Sequence, residues 1–213
     1  VSVAVARVIE EAGRKISDSI LCVAGHSLGE YSALVSSGSL GLSDAAKLLR
    51  LRGKAMQTAV PVDKGAMAAL IQSDYNQAIE ISAMAAQDEV CEVANDNGAG
   101  QVVISGDKTA VERAISIAKE RGVKRCVLLP VSAPFHCKLM ASAAETMEEA
   151  LQGILISKPL VPIISNVSAK SEIHPERIRV YLVEQITRMV RWRECMDYMF
   201  DTGADEFIEL GSG

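Results

Sequence analysis

Aromatic side chains are scarce in this chain of 213 residues, which has one Trp, four Tyr and three Phe. Its core must therefore be built from Ala, Val, Ile, Leu and Met, and with 49% of the residues apolar there is enough material for one. An excess of positive charge is also missing: 22 Lys and Arg stand against 27 Asp and Glu, a net charge of −5. That balance argues against nucleic acid as a partner. No apolar run approaches the roughly 20 residues that a membrane span needs. The five cysteines are odd in number and lack C-x-x-C spacing, and several sit in apolar runs. Reduced, packed thiols in a cytoplasmic protein are expected. Internal repeats and low-complexity tracts are absent. So is an initiating Met: the chain starts inside an amphipathic pattern (Val1, Val5, Val8, Ile9, Ala12, Ile16) and stops at Gly211-Ser212-Gly213. Both ends read as interior positions of a longer protein.

What is present begins with Gly25-His26-Ser27-Leu28-Gly29, directly after the apolar run Ile20–Ala24. A serine between two glycines, at a strand-to-helix turn, has the pattern of a nucleophile elbow. Both glycines are expected where neighbouring backbone leaves no room for a Cβ. The serine is expected in a strained conformation, with the Leu28 N–H at the helix N-terminus facing a developing oxyanion. The competing reading is a tight turn with a capping serine.

The rest of the chain alternates strands and helices. Leu28, Tyr31, Leu34 and Val35 continue a helix to Gly38, and Ser43 is placed to cap a helix reaching about Ala59. Residues 65–130 read as β-α-β-β-α-β, the ferredoxin-like order. The remainder, 1–64 and 131–213, reads as a larger α/β domain into which that unit is inserted. Its expected elements are a helix over Met140–Leu151, a strand over Val161–Ser165, helices over 178–186 and 192–200, and a last strand at Phe207–Leu210. The fold class is α/β, with a mainly parallel, hydrolase-like sheet flanked by helices and ligands at the strands' carboxyl ends.

A serine becomes a nucleophile at neutral pH with a base beside it, usually histidine, and there are only three. His26 adjoins Ser27, and successive side chains in a turn diverge. His174 lies in a polar stretch before Pro175. His136 follows a buried strand in Ser132-Ala133-Pro134-Phe135-His136, where either a base or a packed junction histidine fits. Arg52 is a sharper signal. At 100° per residue it falls within the stripe of Ala45, Leu48, Leu49, Ala55, Met56 and Ala59, while Lys47, Arg50 and Lys54 face the other way. A buried cation needs an anion. That anion is either an internal Asp or Glu or a substrate carboxylate held by the guanidinium fork.

Together these motifs resemble the malonyl-CoA:acyl carrier protein transacylase family, acyltransferases that load malonyl units for fatty acid synthesis. The resemblance rests on Gly25–Tyr31, Arg52-Gly53-Lys54-Ala55-Met56-Gln57, Gly65–Ala69, Gln101–Gly106, Val131–His136 and Glu209-Leu210-Gly211, in the family's order along essentially the whole chain. It implies that Ser27 takes the malonyl group from malonyl-CoA as an ester and passes it to the phosphopantetheine thiol of acyl carrier protein. It implies His136 as the base, the Gln185 carbonyl as the group orienting that histidine, Arg52 as the anchor of the malonyl carboxylate, and Phe135 as a bar to α-branched acyl groups. No cofactor is implied, since CoA is substrate and phosphopantetheine arrives on the partner. Three departures stand out. The family's N-terminal Gly-Gln-Gly turn, which supplies a second oxyanion donor, has no counterpart, so Leu28 N–H is the one donor named. Met189 stands where many relatives have proline. Gly211-Ser212-Gly213 replaces a common Gly-Pro-Gly.

Two alternatives remain at this stage: an α/β-hydrolase esterase with His174 as its base, and an inactive carrier-protein-binding fragment. Acyl carrier protein is acidic, so a basic docking patch is expected among Lys54, Arg121, Lys124, Arg125, Arg188, Arg191 and Arg193.

Overall fold

The computed structural model describes residues 1–131 and 133–211. In chain order it runs α1 (Ser2–Glu11), α2 (Ile16–Ser19), β1 (Val23–Ala24), α3 (Gly29–Ser36), α4 (Leu42–Thr58), β2 (Gly65–Ile71), α5 (Tyr75–Ala86), β3 (Cys91–Asp96) and β4 (Gln101–Asp107). There follow α6 (Lys108–Glu120), β5 (Arg125–Leu128), a 3₁₀ turn (Lys138–Met140), α7 (Ala141–Gln152), β6 (Ile163–Ile164), β7 (Ser171–Glu172), α8 (Pro175–Thr187) and α9 (Trp192–Asp201). The amphipathic start is broken at Gly13, whose φ of 97° ends α1 in the left-handed conformation usual past a helix C-terminus.

Two sheets organise these elements. Strands β2 to β5 form one antiparallel sheet in the order β3-β4-β2-β5, with α5 and α6 in the crossovers. Period-two alternation gives it two apolar faces. Ala66, Ala68, Leu70, Val102 and Ile104 pack with α5 and α6 through Ile81, Ala85, Val111 and Ala114. Met67, Ala69 and Val103 turn the other way, where Phe135 packs against them. Gly65 is required at the join, because a Cβ there would sit 2.3 Å from Pro134 Cδ.

The second sheet has the order β1-β6-β7. Val23 and Ala24 pair in parallel with Ile163 and Ile164, and β7 returns antiparallel. Around it α3, α4, α7 and α8 bury Tyr31, Leu34, Leu48, Met56, Met147, Leu151 and Leu182 in the largest cluster, which Phe135 also touches. Phe135 thus wedges between the two cores. A parallel bridge joins the two regions. Val190 N donates to Ala94 O (2.9 Å) and Asp96 N donates to Val190 O (3.0 Å).

Several expectations need correction. The sheet of the larger region is not mainly parallel among the described residues: it has one parallel and one antiparallel pair of two-residue strands. Residues 207–210 have no ladder partner there and form no strand. Ser43 does not cap α4, because the helix starts one residue earlier, with Gly41 at the N-cap. Of the two elbow glycines, only Gly25 is sterically required. A Cβ on Gly25 would meet Gly29 C at 2.0 Å, whereas one on Gly29 would meet nothing within 4 Å. Ser132 of the Val131–His136 motif, and Ser212 and Gly213, lie outside the described residues.

Candidate active site

Ser27 stands between β1 and α3 with φ 51°, a left-handed conformation that costs a non-glycine residue about 1–3 kcal/mol. The surroundings hold it there. Asn166, fully buried in the turn after β6, accepts a hydrogen bond from Ser27 N (2.7 Å) and donates from Nδ2 to Gly25 O (2.9 Å). Helix α3 starts immediately afterwards with Leu28 at its N-cap.

Two side chains converge on the Ser27 hydroxyl. It lies 2.7 Å from His136 Nε2, and Arg52 Nη2 donates to the same oxygen at 2.9 Å. His136 Nδ1 lies 2.7 Å from Gln185 O. A carbonyl only accepts, so Nδ1 carries the proton and Nε2 is free to accept from the serine. Burial, and then the nearby guanidinium, pushes the imidazole down to about 3, which keeps it neutral. His136 itself has φ 60° at the close of the turn that follows β5.

Arg52 faces inward from α4 between Leu48 and Met56, as its place on the stripe requires. Its Nη2 also donates to Gln185 Oε1 (3.1 Å), while its buried Nε has no hydrogen-bond partner. Gln185 serves every part of the site. Besides its carbonyl on His136 and its Oε1 on Arg52, its Nε2 donates to Ser27 O (3.1 Å) and to Glu30 Oε2 (2.7 Å). Glu30 is 2% exposed, also accepts from Asn166 N (3.2 Å), and is pushed up to about 7 by burial.

The other histidines stand apart from the serine. His26 Nε2 lies 2.9 Å from Asn97 Oδ1 and its ring meets Trp192 edge-on, while exposed His174 pairs with Glu172 at 2.8 Å. The esterase arrangement with His174 is therefore not assembled. A cavity of about 400 Å³ opens beside His136, lined by Glu92, Arg188, Met189 and Arg191 among others. Of the basic candidates, Arg188 and Arg191 line it, Arg188 pairing with Glu184 (3.5 Å) and Arg191 with Glu194 (2.5 Å). Away from the cavity, Arg121 pairs with Glu80 and Arg193 with Asp96 and Asp197. Lys54, Lys124 and Arg125 are exposed on α4, before β5 and at its start.

Sequence reasoning missed Asn166 and Glu30. Asn166 lies in a short polar turn whose role depends on a contact 139 residues away. Glu30 had a readable signal, an acid i−4 from Leu34 on the apolar side of α3, the same anomaly that singled out Arg52.

A serine hydroxyl on a strained turn, met by an imidazole nitrogen and a buried guanidinium, has the geometry of an acyl-transferring centre. The acyl transferase domain matches residues 1–212, and the chain belongs to that family. More particularly, it is 45% identical over 212 residues to a malonyl CoA-acyl carrier protein transacylase of Haemophilus influenzae, covering 100% of this chain and 67% of the relative. An acyl-carrier-protein-S-malonyltransferase of Bartonella henselae superposes with a TM-score of 0.97 at 51% identity, over 100% of this chain and 68% of that one. A malonyl-transacylase solved in complex with its type II polyketide synthase acyl-carrier protein matches with a TM-score of 0.95 at 42% identity, again over 100% and 68%. Within the described residues no helix is long and apolar enough to cross a membrane.

Proposed function

We propose that this chain moves a malonyl group from malonyl-CoA to the phosphopantetheine thiol of acyl carrier protein, through an ester on Ser27, in cytoplasmic fatty acid synthesis. The observation that carries the reading is the double contact on Ser27 Oγ, from His136 Nε2 and Arg52 Nη2. His136 takes the hydroxyl proton as Oγ attacks the thioester carbonyl, and the Gln185 carbonyl steadies the resulting imidazolium. Leu28 N–H, at the start of α3, supports the oxyanion. Collapse of the tetrahedral intermediate breaks the C–S bond, and the CoA thiolate leaves with the proton from His136. Acyl carrier protein then enters: its thiol gives a proton to His136, attacks the ester, and Ser27 leaves reprotonated. Throughout, Arg52 turns its fork to the free carboxylate of the malonyl group.

No cofactor is called upon. Phe135, wedged between the two cores, limits bulk at the acyl α-carbon. Arg188 and Arg191, at the cavity beside His136, face the acidic carrier. The chain divides into a ferredoxin-like subdomain, 65–130, set into a hydrolase-like larger one, 1–64 and 131–213.

Intact-mass spectrometry after incubation with malonyl-CoA tests the reading. A single malonyl adduct that maps to Ser27, is absent from Ser27→Ala, and is discharged by the phosphopantetheinylated carrier is expected. Release of free malonate at the same rate with and without carrier would instead mark a hydrolase.

A further inference from the structure

The buried guanidinium of Arg52 has its compensating charge one amide away. Arg52 donates to Gln185 Oε1, and the other end of that amide donates to Glu30 Oε2. While Glu30 is ionised the amide cannot reverse, because a carboxylate accepts only and a guanidinium donates only. Glu30 is therefore coupled to Arg52 without touching it, and Arg52 Nε remains buried without a partner. An acyl group carrying its own carboxylate brings a second anion into this enclosure.

We infer that Glu30 is the counter-ion of the unloaded acyl pocket, and that arrival of the malonyl carboxylate on Arg52 drives proton uptake by Glu30. The inference rests on the malonyl-transfer reading above. Two anions sharing one buried cation repel, and the cheaper outcome is that one of them is neutralised. Glu30 can take that proton near neutrality, because burial already pushes it up to about 7, with Arg52 acting in the opposite sense. The other titratable groups facing it are Tyr31, its neighbour on α3, and Cys195 from α9, and burial pushes both up to about 12, so they stay neutral. Among the described residues Arg52 on α4 is the charged group facing it, and Asn166 and Gln185 surround it without charge.

Acetyl-CoA offers the same thioester without the extra carboxylate, so the difference between the two thioesters isolates Glu30. The wild-type protein is acylated with each thioester at pH 7 in two buffers of different ionisation enthalpy, and the heats give the proton balance. Net uptake with malonyl-CoA above that with acetyl-CoA is expected; equal balances overturn the inference. In competition, the malonyl-to-acetyl acylation ratio is expected to fall about fivefold between pH 6 and pH 8 for a coupling near one pH unit. In Glu30→Gln, which keeps an acceptor for Gln185 Nε2, the ratio is expected to be flat and as high as at the acid end; a ratio that still titrates overturns the assignment to Glu30. Intact masses of the same wild-type samples check for malonyl on Ser27. Its absence would fail the functional reading itself, whereas its presence with no proton difference fails only the role of Glu30.

Discussion

Removing the guanidinium of Arg52 separates an anchor from a structural cation. In the unloaded site it makes two hydrogen bonds, to Ser27 Oγ and Gln185 Oε1. An acyl carboxylate on its fork would make two charge-assisted bonds, each contributing about 1.5–3 kcal/mol. Arg52→Ala is then expected to cost malonyl transfer about 3–6 kcal/mol, or roughly 10²–10⁴-fold in kcat/KM. Acetyl transfer loses only the contact to the serine oxygen, about tenfold. The preference for malonyl over acetyl thus falls by at least about tenfold, and by about 10³ if the fork is fully engaged. Arg52→Lys, which keeps the charge but not the planar fork, should recover part of the malonyl rate. The assay is competitive acylation with both thioesters, read by intact mass, with a thermal melt of each variant. Equal losses for the two acyl groups would refute the anchor, and so would full activity in Arg52→Ala.

The remaining predictions concern the serine and its turn. Because His136 stays neutral down to about pH 3, acetylation of Ser27 should show no inflection near 6.5, and a rate that halves there would mean the imidazole is far more solvated. The same depressed value gives the fold stability that is present above 6.5 and lost as pH falls towards 3, so melting temperature should drop on the acid side less steeply in His136→Gln. Asn166→Ala leaves Ser27 N and Gly25 O without their partner and should lower kcat for both acyl groups by about 10–10², with little change in KM; an unchanged kcat would show the strained turn is held without it. Gly25→Ala should unfold the elbow or abolish soluble protein, while Gly29→Ala should be tolerated or slightly stabilising by about 0.5–1 kcal/mol. Comparable damage from both would contradict the packing described.

Much of this site was readable before any coordinates, for identifiable reasons. Ser27 and Arg52 each break a local pattern, one a glycine-flanked turn after an apolar run, the other a charge on an apolar helical stripe. Helical periodicity likewise placed α4 within a residue or two, and the order of strands and helices over 65–130 was legible as β-α-β-β-α-β. His136 emerged by elimination, which works only because histidine is rare here. Gln185 was reachable by resemblance alone, since every residue carries a carbonyl and nothing local marks the one that meets an imidazole. Asn166 and the short strands β1, β6 and β7 depend on partners far away in sequence, and two-residue ladders are too brief for alternation to show.

The hydrogen bonds of Ser27 span long stretches of chain: 25 residues to Arg52, 109 to His136, 139 to Asn166 and 158 to the Gln185 side chain. On a growing polypeptide the Ser27 alcohol therefore emerges well before the His136 imidazole, and the full set of contacts waits until α8 has been made and docked. Chemical competence is one of the last properties such a chain acquires, so acylation by a thioester should report completed folding more strictly than helix content does.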